Sequence, residues 1–422
     1  MPRFLVYSHD AYGLGNIRRM LAIATHLADA IEDASVLIVS GSPMLHGFRI
    51  HPRVDYIKLP SVSRTTRNGY STRSLGVEAS DVFELRANLL LGAVADFRPD
   101  VIMVDKKPFG IENELEGAIY YTKAHLPNTA LVLVLRDILD QPEATMRTWR
   151  DGRYTQAIDD FYDSVLVLGS PSVFDPRDEY ELPQSVRRKI RFCGYVRRPL
   201  GTRGRDDVRR DMGTDRLGRL VLVTPGGGQD GALMLDAYVA ALPELHTTPG
   251  MRSLIVSGPE LDVAKRRALS TLAERVPGVE VREFTDDLMS YMDAADVVVC
   301  MGGYNTLCEV ATLRKRAVVV PRTFPVREQW IRADRLTRLG VVTMIEPDGL
   351  DALRMASAIR TELSAGPPAG VLDLGALPRV ARHVTSLLRA RSRVITARRV
   401  TPEIQAGHMA RAVLARSQTA RS

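Results

Sequence analysis

Cysteine is scarce in this 422-residue chain: Cys193, Cys300 and Cys308 are the only three. Their spacing fits no zinc or redox motif, and an odd number cannot all pair, so they read as reduced, buried packing residues. Long apolar runs are missing as well. "LLLGAVA" and "ALVLVLR" fall far short of the roughly 18 residues a membrane-spanning helix needs. The opening "MPRFLVYS" has neither a basic leader nor a long apolar core, so no secretory signal is expected and the chain is expected in the cytoplasm. Several signatures are absent too. No D-x-D occurs, nothing matches G-x-x-x-x-G-K-[ST], and "GLGN" does not continue into a dinucleotide fingerprint, which gives no support to a nucleoside triphosphatase or a nicotinamide enzyme. The formal charge of +7 suggests a nucleic-acid partner at first sight, yet residues 371–422 hold ten arginines against Asp373 and Glu403. The rest of the chain is nearly neutral, and no nucleic acid is expected as a partner.

What is present is an apolar content of 45%, enough for more than one core. Single cores rarely grow beyond about 250–300 residues, so two domains are expected. Short Val/Ile/Leu-rich runs alternate with amphipathic stretches: "RFLVYS", "SVLIVSG", "VDYIKLP", "DVIMVD", "ALVLVLRD" and "SVLVLGS", then "LVLVTPG", "SLIVSG", "VEVREF", "DVVVC", "AVVVP" and "VVTMIEP". Continuous apolar strands between helices predict parallel sheets covered on both faces. Ile17, Met20, Leu21, Ala24, Leu27, Ala28 and Ile31 fall on one face of a helix after the first strand. The fold class is therefore α/β, with two doubly wound Rossmann-like domains facing across a cleft. The expected boundaries are 1–200 for the first domain and 218–370 for the second, joined by a charged, glycine-bearing linker over 197–219. Residues 371–422 form an Arg-rich tail. A helix is predicted over 376–395, crossing back to the first domain. The polar stretch 61–76 is either a binding loop or a surface excursion.

In open parallel sheets, ligands collect outside the carboxyl ends of the strands. "TPGGGQDG", residues 224–231, and "MGGYNT", residues 301–306, both leave an apolar strand and enter a helix. Glycines let backbone approach a ligand, and a helix N-terminus favours phosphate, so two such loops suggest a diphosphate. Glu309 follows Thr306 on the same helical face, either to accept ribose hydroxyls or to favour the helix dipole. Glu328 and Gln329, opening a helix after "PRTFPVR", read either as sugar-hydroxyl ligands or as a polar first turn.

The span from about 220 to 345, with "GGG", "REFTDDLMSYMDAADVVVCMGGYNTLCEV", "VVVPRTFPVREQ" and "RLTRLGVVTMI" in that order, resembles the donor domain of GT-B glycosyltransferases. Within them it is most similar to the branch of the peptidoglycan GlcNAc transferases acting on a lipid-linked muropeptide, and to a bacterial group called predicted glycosyltransferases. The resemblance implies a UDP-sugar donor, UDP-GlcNAc or a related hexose, and an acceptor that is lipid-linked or a small molecule. It implies that Gly226, Gly227 and Gly228 lie against the diphosphate, that Phe284 and Thr285 face the uracil, and that Gly302, Gly303, Asn305 and Thr306 form a second phosphate loop. Glu309 would hold the ribose, and Glu328 and Gln329 the sugar. In the first domain the family's glycine-rich loop matches Gly13 and Gly15, but Asn16 stands where a histidine is expected, and an amide is no general base. His9 is the nearest imidazole. Asp10, Asp105 and Asp137, also at strand ends, compete with it or else pair silently with Arg18, Arg19 or Lys106. The expected reaction is an inverting transfer without metal or other cofactor. Backbone amides, helix ends and Arg322 would support the leaving diphosphate. A UDP-sugar 2-epimerase and a catalytically silent nucleotide-sugar binder are the alternatives, and the tail's arginines suggest a peripheral membrane contact.

Overall fold

The computed structural model describes residues 1–10, 15–65, 69–215 and 217–391. Two parallel sheets organise them. The first takes β1 (Arg3–Ser8), β2 (Ser35–Ser40), β3 (Val54–Lys58), β6 (Val101–Asp105), β7 (Ala130–Arg136), β8 (Ser164–Leu168) and β9 (Ile190–Phe192) in the order β3-β2-β1-β6-β7-β8-β9. The second takes β10 (Arg219–Thr224), β11 (Met251–Val256), β12 (Val279–Arg282), β13 (Val297–Cys300), β14 (Arg316–Val319) and β15 (Thr343–Met344) in the order β12-β11-β10-β13-β14-β15. All neighbours within both sheets run parallel. The central strands are apolar on both faces because helices cover both: every residue of β6, β8 and β13 is buried.

Each strand order reverses once. In the first sheet this happens between β1 and β6, where Phe4 pairs with Val101. In the second it happens between β10 and β13, where Val221 pairs with Val297. At such a switch point the adjacent crossover helices lie on opposite faces and leave a crevice at the strands' carboxyl ends. His9 and Asp10 after β1 and the loop after β6 lie at one switch point, and the two glycine loops lie at the other.

The first helix, Gly15–Ala30, buries Ile17, Met20, Leu21, Ala24, Leu27 and Ala28 against the sheet, and Ile31 lies just past its end. The helix of residues 376–391 returns to the first domain. Val380 and Val384 are buried in the core, Arg379 donates to the Cys193 carbonyl at 2.8 Å, and Arg391 pairs with Asp163 at 2.6 Å. The last residues of the expected helix, 392–395, and the six tail arginines from Arg393 onward lie outside the described residues.

Two stretches differ from expectation. Residues 61–76 contain an antiparallel hairpin of β4 (Val62–Arg64) and β5 (Tyr70–Thr72), anchored by the burial of Val62 against Val82 and Ile111. Residues 205–211, inside the expected linker, form a helix (Arg205–Asp211) fixed to the second domain. Val208 is buried there, and Arg209 ion-pairs with Asp296 at 3.0 Å while donating to the carbonyls of Ala294 and Gly218 at 2.9 and 2.8 Å. The charge of Arg209 is therefore internal adhesive, while Asp207 and Arg210 stay on the solvated face.

Candidate active site

On the second domain, the loop after β10 turns through Gly226 and Gly228, whose φ values of +82° and +100° favour glycine. It packs against the loop after β11 so closely that a Cβ on Gly228 would lie 2.5 Å from the Ser257 carbonyl oxygen. Gly227 faces Glu260, whose carboxyl burial pushes above the usual range. After β13, Gly302 takes φ +82° and Gly303 precedes the helix Tyr304–Leu313. Both loops thus flank the switch point and end at helix N-termini, as an anion site requires. Asn305 and Glu309 are buried beneath the second loop, with Asn305 Oδ1 and Glu309 Oε2 lacking any hydrogen-bond partner. Thr306 is half-buried beside them. Buried carboxylate and amide oxygens rarely stay unpaired, so this pair is left with acceptor capacity that the described residues do not use. Phe284 and Thr285 follow the edge strand β12. Phe284 is 56% exposed, and the Thr285 hydroxyl accepts the Asp287 amide at 3.2 Å.

The other carboxylates and amides of this wall are engaged. Glu328 begins the helix Glu328–Arg338, but it does not face open space. It pairs with Arg136 at 2.6 Å, Arg332 at 3.3 Å and Arg322 at 3.6 Å. These arginines outweigh its burial and hold its carboxyl at about 2. Gln329 accepts the Arg322 backbone amide at 3.1 Å, and Arg322 also pairs with Asp230 of the first glycine loop at 2.6 Å. Arg322 thus stands beside the first glycine loop, and Glu328 is committed to arginines.

On the first domain, Gly13 lies outside the described residues. Gly15 opens the first helix, and its carbonyl accepts from Asn305 Nδ2 at 3.0 Å, joining the two domains. Asn16 spans the place of the expected histidine: its Nδ2 donates to the His9 carbonyl and its Oδ1 accepts from Arg19 at 3.1 Å. His9 is buried with Nδ1 unpartnered. Burial, followed by the charges of Lys106, Lys107, Arg86 and Arg136, pushes its imidazole well below the usual range, so it is neutral at pH 7.

The three aspartates have structural partners. Asp10 accepts the Ile17 amide at 3.0 Å and the Ser40 hydroxyl at 2.6 Å, and burial raises its carboxyl to about 6. Asp105 ion-pairs with Arg19 at 2.6 Å. Asp137 accepts the Tyr195 hydroxyl at 2.6 Å and meets Arg332 at 3.3 Å.

Sequence reasoning did not single out Lys106 or Arg332 as site features. Lys106 follows β6 at φ +71°, in the left-handed region, and among the described residues no hydrogen bond or ion pair engages its ammonium. Desolvation, with Arg136 and Lys107 beside it, pushes that ammonium down to about 7. The doublet in "VDKKP" at a switch-point strand end was the available signal. Arg332 bridges Asp137 of the first domain to Glu328 and to the Gly302 carbonyl at 3.4 Å. No sequence pattern marks that connection. Among the described residues no group of three or more His, Cys, Asp or Glu is arranged to hold a metal ion.

With this geometry in view, residues 220–367 match the glycosyltransferase family 28 C-terminal domain. An uncharacterized glycosyltransferase of Methanopyrus kandleri is 30% identical over 233 residues, or 54% of this chain and 61% of that protein. The UDP-N-acetylglucosamine–N-acetylmuramyl-(pentapeptide) pyrophosphoryl-undecaprenol N-acetylglucosamine transferase of Pelobacter propionicus is 31% identical over 219 residues, 49% of this chain and 54% of that one. The chain thus spans between half and two thirds of the length of these relatives. Among solved structures, MurG of Acinetobacter baumannii aligns with a TM-score of 0.56 at 15% identity, over 92% of this chain and 100% of that one. A UDP-N-acetylglucosamine 2-epimerase aligns with a TM-score of 0.58 at 12% identity, over 90% and 94%. At such identities the likeness is one of fold. Residues 220–367 are accordingly similar to the glycosyltransferase family 28 C-terminal domain, and the chain carries them in a two-domain α/β fold of the GT-B kind.

Proposed function

We propose that the protein is a glycosyltransferase that moves a sugar, GlcNAc or a related hexose, from a UDP-sugar to an acceptor hydroxyl, with inversion and without metal. The observation that carries this reading is the pair of unpartnered oxygens, Glu309 Oε2 and Asn305 Oδ1, buried under a glycine loop at the second sheet's switch point. Such oxygens suit the hydroxyls of a ribose whose diphosphate lies on the loop amides above. The acceptor oxygen attacks the anomeric carbon, the bond to the diphosphate oxygen breaks, and the electron pair leaves with UDP. Loop N–H groups, two helix ends and Arg322 stabilise the departing charge.

His9 is the base in this proposal, because it keeps a free ring nitrogen while Asp10, Asp105 and Asp137 are engaged. Burial first and the surrounding cations second depress its imidazole, and an arriving diphosphate offsets the cations' part of that shift. The acceptor, lipid-linked or small, meets the first domain. The proposed domain limits are 1–200 and 218–370, with a cytoplasmic site of action and a peripheral membrane contact through the tail. No helix among the described residues is long and apolar enough to cross a membrane.

A thermal-shift screen of nucleotide sugars tests the donor. Ligand at 100 times its Kd stabilises by about 2.7 kcal/mol, so UDP-GlcNAc should raise the melting temperature by several degrees. A screen in which no nucleotide sugar stabilises the protein overturns the proposal. The epimerase shares the fold, so chemistry must separate the two: UDP-GlcNAc incubated alone should yield no manno epimer. Activity should also survive a chelator.

A further inference from the structure

We infer that Arg18, reaching across from the first domain, is a diphosphate-binding residue that exchanges partners when the donor arrives. The inference rests on the donor site proposed above. Arg18 lies in the helix Gly15–Ala30, and its guanidinium ion-pairs with Glu309 Oε1 of the second domain. The two partners are unequally exposed. Glu309 is sealed at 1% side-chain exposure, while Arg18 retains 29%. The arginine is therefore the member free to move toward the cleft.

Three further observations point the same way. First, Glu309 has Oε2 bare and Oε1 held by Arg18, so a ribose that enters at Oε2 and Asn305 Oδ1 sits next to the guanidinium and competes with it for Oε1. A ribose that takes the carboxylate displaces Arg18. Second, Glu309 does not become an uncompensated charge when this happens. Arg198, buried, donates to the Arg18 carbonyl at 3.5 Å and stands in the field of Glu309. Two arginines thus face one carboxylate, leaving one positive charge over. Third, that surplus sits where two helix N-termini converge, since Asn305 Nδ2 at the head of one helix donates to the carbonyl of Gly15 at the head of the other at 3.0 Å. A surplus guanidinium between two helix ends matches a pyrophosphate, which it can grip through paired N–H groups. The exchange is neutral in charge: Glu309 trades N–H donors for ribose O–H donors, and Arg18 trades a carboxylate for phosphate. Arg18 would also hold the first domain against the leaving group, supplying charge that a metal ion provides elsewhere.

Binding of UDP and of uridine to the wild type, Arg18→Met and Arg18→Lys, measured by calorimetry on the full chain, tests this without an acceptor. Arg18→Met should lose about tenfold or more in UDP affinity, as expected for one charge-assisted contact, with uridine affinity changed less than about threefold. Arg18→Lys should keep part of the UDP affinity, and covers the case in which the methionine variant fails to fold. Equal losses for UDP and uridine, or no loss, overturn the role of Arg18 while leaving the donor site standing. Failure of the wild type to bind UDP overturns the donor site itself and the inference with it.

Discussion

Lys106 is the clearest case of a residue whose chemistry conflicts with its setting. It adopts a left-handed backbone that a side chain enters at a cost of order 1–3 kcal/mol. Its ammonium has Arg136, Lys107 and His9 nearby and the carboxylates Asp105 and Glu328 already paired with arginines. Held at about 7 in the folded chain against 10.5 unfolded, this group binds its proton more weakly when folded. Between those two values the unfolded state carries more protons, so stability rises with pH across the window, and the destabilisation is complete below about pH 7. Lys106→Met should therefore melt higher than the wild type at pH 6, by at least about 2 °C. The difference should shrink as pH rises toward 10, as followed by thermal melts of both proteins across the range. A pH-independent difference would mean that packing, not charge, separates them. Glu328 has the opposite sign: its carboxyl sits at about 2, so the stabilisation from its arginines is present above about pH 4.5 and lost as pH falls through 2.

At the scale of elements, the glycine loops divide into glycines the fold requires and one that it does not. Gly302 has φ +82° and a Cβ there would stand 2.9 Å from Val319, while Gly228 has φ +100° and would press on the Ser257 carbonyl. Gly303 has φ −60° with nothing within 4 Å of a Cβ, so the chain itself does not need a glycine there. Gly303→Ala should leave stability within about 1 kcal/mol of the wild type, yet weaken UDP about tenfold by filling the space over the loop amides. Gly302→Ala and Gly228→Ala should each lose more than about 1 kcal/mol in denaturant unfolding. An unchanged UDP affinity in Gly303→Ala would move the diphosphate off that loop. The loops themselves were legible because an apolar strand, glycines and a helix in succession have one structural reading. The hairpin β4–β5 was less legible, because its strands are three residues each and carry few apolar side chains. The helix Arg205–Asp211 hid because its charges dominate the composition, although Val208 and Met212 four residues apart already mark its buried face.

For the whole molecule, the sequence discloses two sheets and their ligand edges but not how the domains meet, because the meeting is made by single pairs far apart along the chain. Arg18 and Glu309 lie 291 residues apart, and Arg332 and Asp137 lie 195 apart. The seam is continuous. Tyr195 donates to Asp137 and stacks on Tyr304 at 5.9 Å, with Arg332 and Arg19 over the Tyr304 ring at 5.7 and 5.9 Å. Arg332 is the central member, being fully buried and bonded to Asp137, Glu328 and Gly302 at once. A lone charge left in such a seam is costly, since breaking a buried pair from one side typically destabilises by about 3–5 kcal/mol. Arg332→Met should approach that loss in urea unfolding, because it strands Asp137, while Asp137→Asn should lose less, because Glu328 still balances Arg332. Combined, the two changes should lose clearly less than their sum, by a coupling of about 0.5–3 kcal/mol. Additive losses would mean that Arg332 acts through Glu328 alone and that the seam is held elsewhere. UDP binding to Arg332→Met separates seam from site: with Gly302 no longer tied to the first domain, affinity should fall even in protein that remains fully folded.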